Sequence, residues 1–230
     1  NINCLSKIEL IHKIKNIKSL KKFVYISTPE VFGETKKKLT ETYNIFNPST
    51  PYAVSKLMME NLIRNYQSIT NKQFIIARFS NFYGSGQPIH RLIPKLIMAI
   101  KSKKKFTIQG KGDSRRNFIF SEDFCDAIFL VIKKGATGKS YHFSSKTLHS
   151  VKQIVQKVCK LMNVNFNNFV IFGKDRIGKD TVYKLSSEKT VKELKWQSKV
   201  ALERGILETI SFIEQNYEHF KMQNTNFKIL

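Results

Sequence analysis

The residues of this chain with the clearest chemical use are a tyrosine and a lysine four positions apart, Tyr52 and Lys56. Ser49 or Thr50 can cap a helix that has Pro51 at its first position, so both side chains fall on one face of its opening turns. Because a nearby ammonium favours the phenolate, we expect the pKa of Tyr52 to be lowered towards the range of a neutral-pH acid/base. The alternative is an ordinary solvated helix face, since lysine is abundant in this chain.

A hydroxyl and a carboxylate, Thr28 and Glu30, follow a predicted strand. Residues 23–27 read FVYIS, an aromatic and β-branched run typical of a buried strand, and the run stops where Pro29 removes a ladder donor. In open α/β sheets ligands bind at the carboxyl ends of the strands. We therefore expect Thr28 and Glu30 at a ligand-binding edge, with an exposed turn carboxylate as the alternative for Glu30.

A second apolar run predicts a neighbouring buried strand at residues 73–79. It is followed by Ser80 and Asn81, so two strands bring polar groups to one edge of the sheet. For Asn81 the alternative is a turn-forming residue before Gly84.

This order of strand, Ser-Thr, loop, proline-capped helix and Tyr-x-x-x-Lys resembles the extended short-chain dehydrogenase/reductase family, the NAD-dependent nucleotide-sugar epimerases and dehydratases. The resemblance implies an α/β fold, with a Rossmann-type parallel sheet and a small α/β substrate-binding domain. It implies NAD as cofactor and Thr28, Tyr52 and Lys56 as the catalytic set. The cofactor-binding residues that it implies are Ser27, Tyr52, Lys56, Phe79 and Phe82.

Further segments resemble the parts of the family that bind a nucleotide-sugar. They read RFSNFYG, RLIP, TIQ, GKGDSRRNFIFSED and KDRIGKD. Arginine suits a diphosphate because its planar fork makes two charge-assisted hydrogen bonds. The chain departs from the family's pattern at two positions. Phe82 stands where the dehydratases often have a second Asn, and Asn117 stands where the family has an Asp. The substrate-binding residues implied are Thr28, Asn81, Arg91, Leu92, Thr107, Ile108, Arg116 and Arg176.

Glu30 points to one reaction within the family. It occupies the position of the glutamate that removes the 5-proton in the 4,6-dehydratases, after the tyrosine has taken the 4-hydroxyl proton and hydride has passed to NAD. Water is then lost across carbons 5 and 6, and the hydride returns. Pro29 stands where some dehydratases carry an acidic Asp, and proline has no proton to donate. The resemblance therefore implies a nucleotide-sugar 4,6-dehydratase of cell-surface or deoxysugar biosynthesis, with Glu30 as a fourth catalytic residue.

Three alternatives remain open. One is a nucleotide-sugar 4-epimerase, against which only Glu30 argues. Another is a UDP-glucuronate decarboxylase, whose helix is more acidic than the Pro-Tyr-Ala-Val-Ser-Lys found here. The third is a non-catalytic relative that binds a partner, and the argument against it is the complete polar set of Thr28, Tyr52, Lys56 and Asn81.

The start of the chain differs from the start of the family's domain. Residues 5–20 carry a helical apolar stripe that leads directly into the first strand. No Gly-x-x-Gly-x-x-Gly turn is present, whose amides hold the NAD pyrophosphate in the family. We therefore expect a chain truncated at its start that lacks this pyrophosphate site. We also expect a homodimer through the helices at 1–20 and 52–69.

The resemblance divides the chain into two parts. Residues 1–83 with 117–140 are the remaining part of the NAD-binding Rossmann domain, and residues 84–116 with 141–230 are the substrate domain. From Asn216 onward the polar sequence predicts a frayed tail.

The charge and the apolar pattern of the chain limit the kinds of partner that we expect. There are 40 Lys+Arg against 17 Asp+Glu, a formal net charge of +23. The lysines are scattered rather than gathered in a stripe, so we expect no nucleic-acid partner, although anionic nucleotide-sugars would be attracted. No apolar run reaches membrane-spanning length and no signal peptide is evident, so we expect no membrane partner and a cytoplasmic location. His142 and His149 have no second ligand at metal spacing, and we expect no metal site.

Overall fold

The computed structural model describes residues 5–14, 16–70, 72–175 and 181–223. The strands are β1 (Lys22–Ser27), β2 (Lys38–Leu39), β3 (Gln73–Phe79), β4 (Asn81–Tyr83), β5 (Phe106–Gln109), β6 (Arg115–Phe120), β7 (Ser140–Phe143), β8 (Leu148–Ser150), β9 (Val170–Gly173) and β10 (Lys184–Leu185). The helices are α1 (Leu5–Ile14), α2 (Pro51–Ile69), α3 (Leu92–Lys101), α4 (Ser121–Lys134), α5 (Val151–Leu161), α6 (Phe166–Phe169), α7 (Glu188–Leu194), α8 (Leu202–Gln215) and α9 (Tyr217–Lys221), and a 3₁₀ turn spans Pro29–Phe32.

The main sheet is parallel and has the strand order β1, β3, β7. Its central strand β3 is buried along nearly its whole length, because helices cover both faces. Phe74 and Ile76 point to one face, where they pack with α1 and α2, and Ile75 and Ala77 point to the other, where they pack with α4. This arrangement is the α/β fold with a parallel sheet that the sequence predicts.

Outside the main sheet the chain forms smaller sheets and three packed helices. Strand β6 lies between β4, which is parallel to it, and β8, which is antiparallel, and β5 pairs with β9. Helices α3, α5 and α8 bury their apolar faces in one core with β5 and β6. Ser150 begins α5 with a capping box that includes Gln153. None of the described helices is long and apolar enough to cross a membrane.

Two details differ from the sequence-based expectation. Strand β7 pairs with β3 in the main sheet, so residues 141–143, which the predicted division gives to the second domain, extend the sheet of the first. The predicted frayed tail begins instead with helix α9, because Tyr217 and Phe220 give it an apolar side. The Tyr217 hydroxyl is 3.1 Å from Ser102 Oγ, and Phe220 packs on Phe212.

Candidate active site

Two buried hydroxyls mark the carboxyl edge of the main sheet. Ser27 ends β1 and Ser80 follows β3, the strand paired with it. Both residues are 5% exposed, and among the described residues neither Oγ has a hydrogen-bond partner. A buried hydroxyl without a hydrogen bond lowers the stability of the fold by roughly 1–3 kcal/mol. Each Oγ can still form a hydrogen bond to a ligand at this edge of the sheet, and that bond would remove the cost.

The 3₁₀ turn holds Thr28 and Glu30 at the same edge. Thr28 is the N-cap of the turn, and its Oγ1 accepts a hydrogen bond from the Glu30 backbone N–H at 3.3 Å. Pro29 occupies the first position of the turn, where its missing N–H is no loss. The turn leaves Glu30 partly exposed, while Val31 and Phe32 are buried beneath it.

Gly33 closes this turn with a φ of +68° and a ψ of −170°, a backbone conformation found almost only in glycine. A Cβ at Gly33 would lie 2.0 Å from the Asn47 carbonyl oxygen.

We expect Gly33→Ala to lower the free energy of unfolding by roughly 2–5 kcal/mol, from backbone strain and overlap together. Urea unfolding of the whole protein measures this change. Gly86→Ala is the matched control, because Gly86 has a φ of +77° but open space around its Cβ position. It should cost only about 1 kcal/mol. Equal losses in the two variants would contradict the role of the Asn47 contact.

The opening turns of α2 present the tyrosine and the lysine. Thr50 caps the helix by accepting from the Ala53 N–H, and Pro51 is the first helical residue, as predicted. Lys56 Nζ donates to the Ile26 carbonyl oxygen at 2.9 Å, so the ammonium is fixed at the end of β1. It also lies 5.7 Å from the centre of the Tyr52 ring.

The predicted lowering of the Tyr52 pKa is wrong for this structure. Although Tyr52 is 44% exposed, its pKa is raised, first by partial burial of the phenol and then by the nearby Glu30 carboxylate. Arg91 is the cation that lowers this pKa. The ammonium of Lys56 is instead engaged by a backbone carbonyl. The charges of Glu30 and Arg91 thus act on the phenol in opposite directions.

The pKa of Lys56 is lowered to about 8, first by burial and then by the ammonium of Lys7 on α1, and Glu60 and Glu30 act in the opposite direction. Lys7 and Lys56 both lie over the Tyr25 ring, at 5.8 and 5.0 Å from its centre. Lys56 is therefore a cation at neutral pH that loses its proton under mildly alkaline conditions.

We expect one lysine of the whole protein to titrate near pH 8 in an NMR experiment on ¹³C-methylated lysines, and Lys56→Arg to remove that resonance. Lys7→Gln should raise the pKa of Lys56, because it removes a positive charge that disfavours the ammonium. Lys13→Gln, at an exposed position of the same helix, is the control and should leave it unchanged. A Lys56 that titrates near pH 10.5 would exclude this environment.

A cavity of about 1050 Å³ lies beside α3, β5, β6 and α9. Its volume is in the range of binding sites for ligands of nucleotide size. A lysine-rich rim makes it attractive to anions. The predicted substrate-binding residues that line it are Asn81, Leu92, Thr107, Ile108 and Arg116.

Arg116 is held in place at this cavity. Its guanidinium lies 4.4 Å from the centre of the Tyr183 ring, and Nη1 donates to the carbonyl oxygens of Arg115 and Thr181. Such anchoring orients the fork of an arginine before a ligand arrives. Arg176 lies outside the described residues.

The two predicted cofactor phenylalanines are placed differently. Phe79 is 4% exposed and stacks on Phe143 at 4.6 Å, so its side chain belongs to the core of the main sheet. Phe82 is 43% exposed and stacks on Phe124 at 4.5 Å, so one of its faces is open. Only the second side chain is available to a ligand.

The cavity is also lined by residues that were not predicted from the sequence, namely Ser114, His90 and the α9 residues Tyr217 and Phe220. Ser114 is 5% exposed and its Oγ has no hydrogen-bond partner among the described residues. Its place in the GKGDSRRN segment, two residues before Arg116, was the available signal. Within the described ranges, no three His, Cys, Asp or Glu side chains are grouped to hold a metal ion.

A match to a family model shows which protein family this chain belongs to. The NAD dependent epimerase/dehydratase family matches residues 1–144, more than half of the 230-residue chain. The chain belongs to this family. The resemblance seen in the sequence is thereby confirmed.

Individual relatives are dehydratases and epimerases. Human dTDP-D-glucose 4,6-dehydratase is 32% identical over 207 residues, which cover 88% of this chain and 59% of that protein. Among solved structures, dTDP-glucose 4,6-dehydratase from Bacillus anthracis str. Ames in complex with NAD matches with a TM-score of 0.88 and 27% identity, over 95% of this chain and 70% of that one. UDP-glucuronic acid 4-epimerase from Bacillus cereus in complex with UDP-glucuronic acid and NAD matches with a TM-score of 0.87 and 26% identity, over 94% and 68%.

These matches confirm the predicted Rossmann-type fold. The chain spans about three fifths of the length of curated dTDP-glucose 4,6-dehydratases that it matches.

Proposed function

We propose that the protein containing this chain is an NAD-dependent nucleotide-sugar 4,6-dehydratase, with dTDP-glucose as the first substrate to test. The observation that carries the proposal is the position of Glu30 in the Thr28-capped turn at the carboxyl end of β1, where its charge acts on the Tyr52 phenol and the Lys56 ammonium. A 4,6-elimination needs a base for carbon 5 in addition to an acid/base for the 4-hydroxyl, and this site offers both. Epimerisation at carbon 4 needs only the second.

The carboxyl edge of the main sheet fits NAD. Ser27 Oγ is buried there without a described partner, and the Lys56 ammonium is fixed beside it. We assign Ser27, Tyr52, Lys56 and Phe82 to the surroundings of NAD, and Phe79 through its backbone. Bound at this edge, NAD supplies the acceptor for the hydride of carbon 4 and later its donor.

The side chains of the chain have separate tasks in this reaction. The Lys56 ammonium stabilises the Tyr52 phenolate, which takes the proton of the 4-hydroxyl and becomes a neutral phenol. Thr28 lies at the same strand end and orients the 4-oxygen with its hydroxyl. Glu30 takes the 5-proton, which the 4-keto group has made acidic. The Glu30 carboxylic acid then protonates the departing 6-hydroxyl, because Pro29 has no proton to give, and water is the product.

Binding of the nucleotide part falls to the cavity. Asn81 and Arg116 line it, and we assign them to the diphosphate, together with Arg176. The residues assigned to the nucleoside are Leu92, Thr107 and Ile108, which line the cavity, and Arg91, which is not in its lining and whose charge also acts on the Tyr52 phenol. Glu30 and Tyr52 act on the sugar.

The test is the product that the whole protein forms from dTDP-glucose in deuterated water, followed by NMR. We expect a 4-keto-6-deoxy sugar that carries deuterium at carbon 5, because that carbon loses its proton and regains one from solvent. UDP-glucose and UDP-glucuronic acid are parallel substrates that define the nucleotide and the sugar. An unlabelled product that differs only at carbon 4 would exclude the dehydratase.

That outcome would support the second candidate, a nucleotide-sugar 4-epimerase. The observation in its favour is the fold similarity to the Bacillus cereus epimerase, which nearly equals the similarity to the Bacillus anthracis dehydratase.

We also propose a homodimer formed through α1 and α2, in a protein of the cytoplasm. Both helices pack on one face of the main sheet. Each also exposes apolar side chains to solvent, and exposed apolar patches often mark contact surfaces. The side chains concerned are Leu5, Leu10, Val54 and Met58.

A further inference from the structure

The most deeply buried charges of the described chain lie outside the reaction steps above. Arg78 on β3 is 1% exposed and Glu60 on α2 is fully buried. Arg78 Nε donates to Glu60 Oε1 at 2.8 Å, and Nη2 donates to Oε2, so the pair is bidentate. Arg78 Nη1 lies 3.0 Å from Nε2 of the fully buried His142 on β7.

The bonding of His142 shows that its ring is neutral. Since a guanidinium only donates, Nε2 must accept, and the proton on Nδ1 is donated to the Leu39 carbonyl oxygen at 3.3 Å. The pKa of His142 lies well below its ordinary value, first because of burial and then because of Arg78. The backbone N–H of His142 donates to Glu41 Oε1 and Thr190 Oγ1, both at 3.1 Å. Arg78 therefore has partners on two neighbouring elements and cannot turn away from either.

Stability alone does not account for this arrangement. Burying two charges has a large desolvation cost, and replacing a buried ion pair by apolar side chains of similar volume is often neutral or stabilising. The position of the pair relative to the site is therefore informative.

The Arg78 guanidinium also packs on the segment that carries Glu30. Its central carbon lies 4.9 Å from the ring centre of Phe32, the last residue of the 3₁₀ turn, and 5.7 Å from that of Phe46. Phe32 also contacts the His142 ring edge to face at 5.8 Å. The turn of Glu30 therefore packs directly on Arg78.

The same guanidinium holds the helix that carries Tyr52 through its bidentate pair with Glu60. Glu60 lies one helical turn beyond Lys56 and two beyond Tyr52, on the same side of α2. One guanidinium thus contacts both the turn of Glu30 and the helix of Tyr52.

We propose that Arg78, bound by Glu60 and His142, is a positioning residue that fixes the Glu30 carboxylate relative to the Tyr52 phenol. The proposal rests on the proposed function, in which these two groups act on adjacent carbons of one sugar. A displacement of about 1 Å can reduce the rate of a step about 100-fold. Substrate binding should be unaffected, since the partners of the guanidinium described above, Glu60, His142, Phe32 and Phe46, are not among the residues that line the cavity.

The decisive variant is the double substitution Glu60→Met/Arg78→Met, which removes both charges and keeps the volume. We expect it to remain folded, with kcat reduced about 100-fold and KM for the nucleotide-sugar unchanged. A double variant with the wild-type kcat would overturn the proposal. Arg64→Met is the control, because Arg64 is on the same helix, 3.7 Å from Glu60, but is 44% exposed at its side chain. It should keep kcat near the wild-type value.

Two milder variants keep the proposal testable if the double variant does not fold. Arg78→Lys keeps the charge but loses the planar face and the fork, so kcat should fall while KM stays constant. Phe32→Leu keeps an apolar side chain in the turn but removes the ring on the guanidinium, and it should also lower kcat without changing KM. Retention of wild-type kcat by both folded variants would exclude a positioning role.

Failure of this proposal can be distinguished from failure of the proposed function. The function is tested by the identity and label of the wild-type product, whereas the positioning role is tested by the ratio of variant to wild-type kcat for that product. If the wild type proves to be an epimerase, Phe32→Leu should leave its kcat unchanged, since Glu30 then has no step to perform. A loss of kcat in that case would contradict positioning through Glu30.

Discussion

Replacing Tyr52 by phenylalanine should reduce turnover of the whole protein about 10²–10⁴-fold while the nucleotide-sugar still binds. The substitution removes only the oxygen that accepts the 4-hydroxyl proton. Binding should persist, because the cavity that we assign to the nucleotide is lined by Asn81, Thr107 and Arg116 and not by Tyr52. Single-turnover formation of NADH measures the first step, and calorimetry measures binding.

Tyr66→Phe is the matched control for this experiment. Tyr66 lies on the same helix, is 7% exposed, and bonds to His12 at a distance from the catalytic turns. It loses the same atom and should keep nearly full turnover. Undiminished NADH formation in Tyr52→Phe would remove Tyr52 from the mechanism, whichever sugar is the substrate.

The raised pKa of Tyr52 shows that the phenol is not a base in the protein without ligands. A phenol that is protonated at neutral pH must give up its proton when the ligands are in place, so the protein alone does not prepare the base. Lys56, with a pKa of about 8, remains the cation that stabilises the phenolate. Between pH 7 and 9 the loss of that cation should reduce turnover in the wild type. Lys56→Arg should keep its charge through this range.

Much of the architecture could be predicted from local sequence signals. The apolar runs before Thr28 and Ser80 end where the strands end, and the cap at Thr50 with Pro51 begins α2 as predicted. These signals lie within a few residues of the feature that they specify. Strands β2 and β10 gave no such signal, since each has only two residues and exists through its pairing with the other.

The spacing of the site residues could be predicted from the sequence, but the direction of the Tyr52 pKa shift could not. Spacing indicated that Tyr52 and Lys56 share a helix face, yet the direction of the Tyr52 pKa depends on burial and on Glu30, which is distant in sequence. The buried group around Arg78 was hidden for the same reason, because Glu60 and His142 meet it only through the packing of α2 and β7 on β3. Long-range contacts of this kind leave no local pattern.

Replacing Glu30 by glutamine should stop the reaction at the 4-keto stage. The amide has nearly the shape of the carboxylate but does not accept the 5-proton, so the first hydride transfer should proceed and the elimination should not. We expect NADH to accumulate in proportion to the enzyme and to remain, with a loss of kcat of about 10²–10⁴-fold. Rapid-quench analysis should find a 4-keto sugar that keeps its 6-hydroxyl.

Glu34→Gln provides the control, because Glu34 is an exposed glutamate four residues further along the chain. It should turn over normally and incorporate deuterium at carbon 5 like the wild type. Glu30→Gln should incorporate none, because the 5-proton is never removed. If Glu30→Gln instead formed a labelled 6-deoxy product at the wild-type rate, the base would be another group. Glu30 would then be an ordinary carboxylate of the turn, and the proximity of its charge to Tyr52 would serve only to raise the pKa of the phenol.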